Sequence, residues 1–261
     1  MRSACEARGL TGARRFPRHM ENHLAGQVRK LVIIVGGSEL AYFVATRLII
    51  AHWPDWAWQP ELLRTACRAA AAFVLWQFFR DIIFSLPPKK AGLRHPRFHV
   101  ALLAMLAVPL LVGNWSFMGP VTKVVFAVGS IVVGLHEEFL FRGILQNLIE
   151  RRLGTLMAIG TTSLIMTAWH IGALPLNYFN FWQVFAVSSV LGLVYAATRS
   201  IWVVVAIHAA YDAAWSATPV LSTPLAWHWG ALLLLVALLL TWSWAREMGP
   251  DSIADRPRSS A

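Results

Sequence analysis

The chain has 261 residues, 57% of them hydrophobic and 14% charged, with a mean hydropathy of +0.55. That leaves too little polar surface to coat a soluble globule, and the 13 tryptophans suit the headgroup level of a bilayer. The formal net charge of +10 does not point to nucleic acid, because the basic residues fall in short gaps between apolar runs, as they do beside an anionic lipid leaflet.

Residues Met1 to Lys30 are Arg-rich and lack a secretory apolar core followed by a small-residue cleavage site. They read as a solvated basic tail, with Met20 as an alternative start. Apolar stretches long enough to cross roughly 30 Å of hydrocarbon then follow near Leu31–Ile50, Leu63–Leu86, Phe98–Phe117 and Val121–Ile149. Four more lie near Thr155–Ile171, Phe181–Thr198, Ile201–Ala217 and Trp227–Ala245. Breaks are expected at His52-Trp53-Pro54-Asp55, Pro87-Pro88-Lys89-Lys90, Gly119-Pro120, Arg151-Arg152, Leu174-Pro175, Arg199-Ser200 and Pro219 to Pro224, where proline removes a donor and glycine permits non-helical backbone. The second span carries Arg64, Arg68, Arg80 and Asp81. No internal repeat is evident. The fold class is all-α, a polytopic membrane bundle of about eight transmembrane helices.

Charge orients the bundle. Seventeen of the 23 Lys and Arg residues fall in the N-terminal tail, the second, fourth and sixth gaps between spans, and the C-terminal tail. The alternate gaps hold none, and the remaining six lie within or at the edges of spans. Under the positive-inside rule this places both termini in the cytoplasm. The Ala- and Arg-rich composition suggests a bacterial inner membrane. Cys5 and Cys67 share no metal-ligand or redox spacing.

Ionisable groups inside a bilayer cost several kcal/mol and mark function by default. The densest set is Gly134-Leu-His-Glu-Glu-Phe-Leu-Phe-Arg142 on the fourth span. Glu138 and Arg142 are four apart on one face, acid first, the favourable order for an ion pair. Glu137 points about 100° away and is free for another task. His170 stands near the far end of the fifth span, and His208 with Asp212, four apart, share a face of the seventh. At about 1.5 Å per residue, Glu137, His170 and His208 lie roughly 20, 25 and 13 Å from Arg151, Arg152 and Arg199. With helix tilt, all three can meet near mid-bilayer.

Such a set can hydrolyse a peptide bond. A desolvated carboxylate is a competent general base, so Glu137 helped by His170 could deprotonate a water. His208 and Asp212 could hydrogen-bond the oxyanion, the Asp donating only when protonated. There is no Gly-x-Ser-x-Gly, neither Cys lies near a His, and Leu140 occupies the second-His position of a His-Glu-x-x-His motif. Glu and His chains in bundles also serve proton-coupled transporters, and a non-catalytic membrane immunity or binding protein is a third reading. Transporters of that kind carry broken helices and inverted repeats, neither of which is evident here.

These residues resemble the CPBP family of CAAX- and bacteriocin-processing membrane proteases. Its Glu-Glu-x-x-x-Arg motif is matched by Glu137, Glu138 and Arg142. Its His-x-x-x-Asn/Asp motif is matched by His208 and Asp212, and its Phe-x-x-x-His motif by His170 with Met166 in place of Phe. The resemblance covers roughly Val121–Ala217. It implies an intramembrane endopeptidase acting on a membrane-embedded or lipidated substrate, with Glu137 and His170 on the water, His208 and Asp212 on the oxyanion, and Arg142 holding Glu138. It also implies four regions: a basic tail (1–30), variable transmembrane helices (31–118), a catalytic core (119–217), and a last helix with its tail (218–261). Zn²⁺ is an alternative cofactor, for which Glu137, His170 and His208 would be the three protein ligands; a metal-free mechanism is preferred.

Overall fold

The computed structural model describes residues 18–53, 58–89, 93–113, 119–171, 177–217 and 223–248. Over these residues the regular elements are all helical: α1 (Arg18–His52), α2 (Trp58–Ile83), α3 (Pro96–Val112), α4 (Pro120–Glu138), a π-helical segment (Phe139–Gln146), α5 (Asn147–Leu153), α6 (Thr155–Trp169), α7 (Tyr178–Thr198), α8 (Ile201–Ala217) and α9 (Pro224–Met248). The π-helical segment joins α4 to α5 without a break, so Pro120–Leu153 is one rod of 34 residues. Counted in that way, the described residues form eight rods that run through the eight expected spans, and the protein is an all-α membrane bundle.

Among the described residues, four helical stretches are long and apolar enough to cross a membrane: Arg29–His52, Pro120–Leu153, Tyr178–Thr198 and Leu225–Met248. Pro96–Val112, Thr155–Trp169 and Ile201–Trp215 are shorter apolar helices. Leu103, Leu111, Val124 and Leu239 are all more than half exposed. Such residues on three different helices form an apolar outer surface suited to lipid.

The limits of the elements depart from expectation in three places. The described part of the basic tail, from Arg18, is helical and continuous with the first span. Arg151 and Arg152 do not interrupt the fourth span, because α5 continues to Leu153. The turn is made instead by Gly154 at φ 81°, a conformation glycine adopts without a Cβ clash. α3 ends at Val112, and Phe117 lies outside the described residues, as do the breaks at Pro54-Asp55, Lys90, Leu174-Pro175 and Pro219, and both chain ends with Cys5.

The gaps that carry basic charge gather at one end of the bundle. Lys89 N donates to Thr198 O (2.7 Å), Arg151 to Ser85 Oγ (3.1 Å), and Arg199 to both oxygens of Glu150 (2.7 and 2.5 Å). Arg97 and His95 both pair with Glu247, and Lys30 Nζ donates to Phe78 O. Arg199 has φ 52°, an uncommon backbone for a residue with a Cβ, and its bidentate grip on Glu150 fastens the α7–α8 turn to α5. At the opposite end, the start of α7 meets α9 through Tyr178 and Trp227, with ring centroids 5.9 Å apart.

In the middle, α4 packs along α8. Gly134 makes this possible, since a Cβ there would come 3.1 Å from Val205 O and 3.4 Å from Ala209 N. Small residues at such crossings let helix backbones approach closely in a membrane. One turn beyond Gly134, the approach delivers Glu138 to α8.

Candidate active site

His136, Glu137 and Glu138 are consecutive and 2%, 9% and 0% exposed. Three successive helical residues point in three directions about 100° apart, so the end of α4 is enclosed on every side. α2 and α8 pack on it, α1 reaches it through Glu39, and the π-helical segment continues it.

Glu138 is the hub. Its Oε1 accepts from Arg142 Nη1 at 3.0 Å and lies 2.6 Å from His208 Nδ1. Arg142 is wholly buried and fans out from there: Nη1 contacts Met166 Sδ at 3.2 Å, and Nη2 donates to Ser188 O (2.7 Å) and Ser188 Oγ (2.9 Å). One guanidinium thus ties the π-helical segment to α6 and α7. A planar fork with several donors suits such branching better than an ammonium.

His208 turns its other nitrogen outward. Nε2 lies 3.4 Å from Asp212 Oδ2 and 3.8 Å from Glu137 Oε2. Since a carboxylate can only accept, the Glu138 contact makes Nδ1 a protonated donor. Nε2 is then the ring atom facing Asp212 and Glu137. Glu137 Oε2 is buried without a hydrogen-bonding partner among the described residues. Asp212 is the most open member, its side chain 29% exposed.

Five of the six expected site residues therefore form one cluster: Glu137, Glu138, Arg142 and His208, all buried, with the partly exposed Asp212. His170 stands apart from it. It caps the C-terminus of α6, half-buried, with Nδ1 2.8 Å from the Met166 carbonyl, an arrangement that protonates Nδ1 and leaves Nε2 as a free acceptor. Met166 lies one turn back and touches Arg142, so His170 sits at the rim of the cluster rather than within it.

The trio named as possible zinc ligands is accordingly not assembled. Among the described residues no group of three or more His, Cys, Asp or Glu side chains is disposed to hold a metal ion, whereas a catalytic zinc takes three protein ligands at about 2.0–2.3 Å.

Three participants were not foreseen. Ser188 anchors Arg142, and its signal was the Ser188-Ser189 pair in an otherwise apolar span. Glu39, the only acid of the first span, bonds His136 at 2.8 Å. The π-helical segment has no sequence signature; such segments are rare and tend to occur at functional sites.

Residues 119–214 match the family model described as Type II CAAX prenyl endopeptidase Rce1-like. No curated protein and no solved structure matches the chain. The matched segment holds all six expected site residues and the α4–α8 crossing that brings most of them together. Over that segment the chain is similar to a CAAX-type membrane protease family, in agreement with the resemblance its motifs suggested.

Proposed function

We propose that the protein is an intramembrane endopeptidase that cleaves a membrane-associated, and in some cases lipidated, peptide with a water activated by Glu137. The observation that supports this best is the single buried cluster in which Glu138 is shared by Arg142 and His208 while the unpartnered Glu137 Oε2 stands 3.8 Å from His208 Nε2. That oxygen accepts no hydrogen bond among the described residues and lies at the outer limit of an ion pair with His208. A general base needs it free.

In this reading the two adjacent glutamates divide the work. Glu138 is committed to Arg142 and to the His208 ring, and keeps Nε2 aimed at the reaction zone. Glu137 takes a proton from the water as it attacks the scissile carbonyl, which is general base catalysis. His208, donating from Nε2 when doubly protonated, and Asp212, donating when its carboxyl is protonated, flank the carbonyl oxygen, where charge develops. Glu137 then returns the proton to the departing amine, so one water is consumed and one peptide bond broken. His170, with Nε2 free, is the second contact of the water; catalytic contacts are often long in the absence of substrate and tighten when it binds. No step requires a metal.

The end that gathers the basic gaps is assigned to the cytoplasm. Both termini then lie there, in what the composition suggests is a bacterial inner membrane. Residues 119–217 form the catalytic core on this reading, with 31–118 a variable scaffold.

The test is Glu137→Ala and His170→Ala in native membranes, scored by appearance of new peptide termini in the membrane proteome. Loss of cleavage in Glu137→Ala with the protein still folded supports the proposal. Unchanged cleavage in both variants refutes it.

A further inference from the structure

A second group of ionisable side chains adjoins Glu137 on the side away from Arg142, between α1, α2 and α4. Glu39 Oε1 lies 2.8 Å from His136 Nε2, and both residues are buried. Tyr42, on the same helix as Glu39, sets its ring 5.3 Å from that of His136 and accepts from Arg68 Nε at 2.8 Å. Arg68 Nη1 donates to Glu61 Oε1 at 2.9 Å, Glu61 Oε2 is 3.1 Å from Arg64, and Arg68 is within electrostatic range of Glu137. Polar contacts therefore run from Glu61, near the start of α2, through Arg68 to Tyr42, and the neighbouring Glu39 pairs with His136, the residue before Glu137.

Interhelical glue alone does not account for this group. Glu39 Oε2, Thr46 Oγ1, Arg64 Nε and Thr65 Oγ1 are buried without a hydrogen-bonding partner among the described residues, and Glu137 Oε2 is a fifth such atom. Each would cost about 1–3 kcal/mol if it stayed unsatisfied. Ionisable groups at membrane depth either pair with one another or face water, and a buried water typically satisfies about three such atoms. Gly129 shapes the outer end, since a Cβ there would lie 2.9 Å from Thr65 Oγ1 and 3.6 Å from Glu61 Oε1. The other flank of the site is closed, with Glu138 and Arg142 fully buried against Met166 and Ser188.

We propose that the polar compartment lined by Glu39, Thr65, Arg68 and His136 is a hydrated lane that delivers the hydrolytic water to Glu137 from the membrane face opposite the basic gaps. This rests on Glu137 being the carboxylate that activates water. Glu61 lies roughly 33 Å along α2 from Ile83 at the basic end, at about 1.5 Å per residue, so the lane begins near that opposite face. Peptide and water then approach Glu137 by different routes, and a bound substrate does not seal the site against its own reagent.

Thiol accessibility tests the lane without relying on proteolysis. In a Cys5→Ser/Cys67→Ser chain, Thr65→Cys and Thr46→Cys are exposed in sealed vesicles to a charged, membrane-impermeant thiol reagent added to each side in turn. Leu75→Cys in the core and Phe73→Cys on the outer surface are the controls. Labelling of Thr65→Cys from the face opposite the basic gaps is expected to be at least about tenfold faster than either control, since access and ionisation govern thiol reactivity. The same labelling is expected when Glu137→Ala is added. Labelling no faster than the controls, or only from the basic side, overturns the proposal. Thr65→Leu, which narrows the lane, is expected to lower kcat with KM and melting temperature unchanged; an unaltered kcat also overturns it. Slow labelling in a chain whose Glu137→Ala variant is inactive refutes the lane alone. Rapid labelling in a chain whose Glu137→Ala variant still cleaves refutes the peptidase reading, and water delivery to Glu137 with it.

Discussion

Glu138 and His208, 70 positions apart in sequence, are joined through one oxygen: His208 Nδ1 is 2.6 Å from Glu138 Oε1, which also accepts from Arg142 Nη1 at 3.0 Å. That shared atom separates the two adjacent glutamates into a structural one and a free one.

Glu137→Gln and Glu138→Gln are expected to fail differently. Glu137 makes no hydrogen bond from Oε2, so its amide variant keeps the wild-type melting temperature in detergent and loses about 10²–10⁴-fold in kcat, the usual worth of a general base. Glu138→Gln leaves Arg142 buried without its counter-charge and lowers the melting temperature as well. Paired cleavage assays and thermal melts read both outcomes.

Arg142→Met is expected to destabilise the protein by about 3–5 kcal/mol, because it strands the buried carboxylate of Glu138. Adding Glu138→Gln to that variant recovers part of the stability and none of the activity. A double-mutant cycle on unfolding in detergent, with cleavage measured alongside, checks the coupling.

Gly134→Leu tests the crossing that sets the site. Its side chain meets Val205 O and the backbone of Ala209 and forces α4 away from α8. A misplacement of about 1 Å can reduce turnover about 10²-fold, so activity falls steeply while helical content by circular dichroism is retained.

Because no trio of described ligand side chains is disposed to hold a metal, cleavage by the purified protein is expected to persist after prolonged treatment with strong chelators. Loss of activity on chelation, restored by zinc, would show that Glu137, His170 and His208 rearrange around a metal during turnover.

Much of the bundle was legible in the sequence, since hydrocarbon thickness sets span length and the alternation of Arg and Lys sets the sidedness of the gaps. The misread turn at Arg151-Arg152 has a simple cause. Two arginines end an apolar run, but they do not end a helix, and Gly154 with its positive φ does. The site was legible where spacing determines geometry: residues four apart on one helix, such as Glu138 with Arg142 and His208 with Asp212, are in contact. Contacts between helices could not be read that way. Nothing in the spacing assigns Glu137 to the neighbourhood of His208 rather than His170, or sends Arg142 to Ser188, because those pairings depend on how rods pack. The π-helical segment that carries Arg142 was equally hidden, since no proline or polar insertion marks it.

The most direct test of the account is cleavage of membrane peptides by the purified protein in proteoliposomes, wild type beside Glu137→Gln, with solute flux recorded in the same vesicles. The account predicts new peptide termini with the wild type, none above background with Glu137→Gln at equal melting temperature, and no flux with either. Equal cleavage by both proteins, or flux that depends on Glu137 without any cleavage, would contradict it.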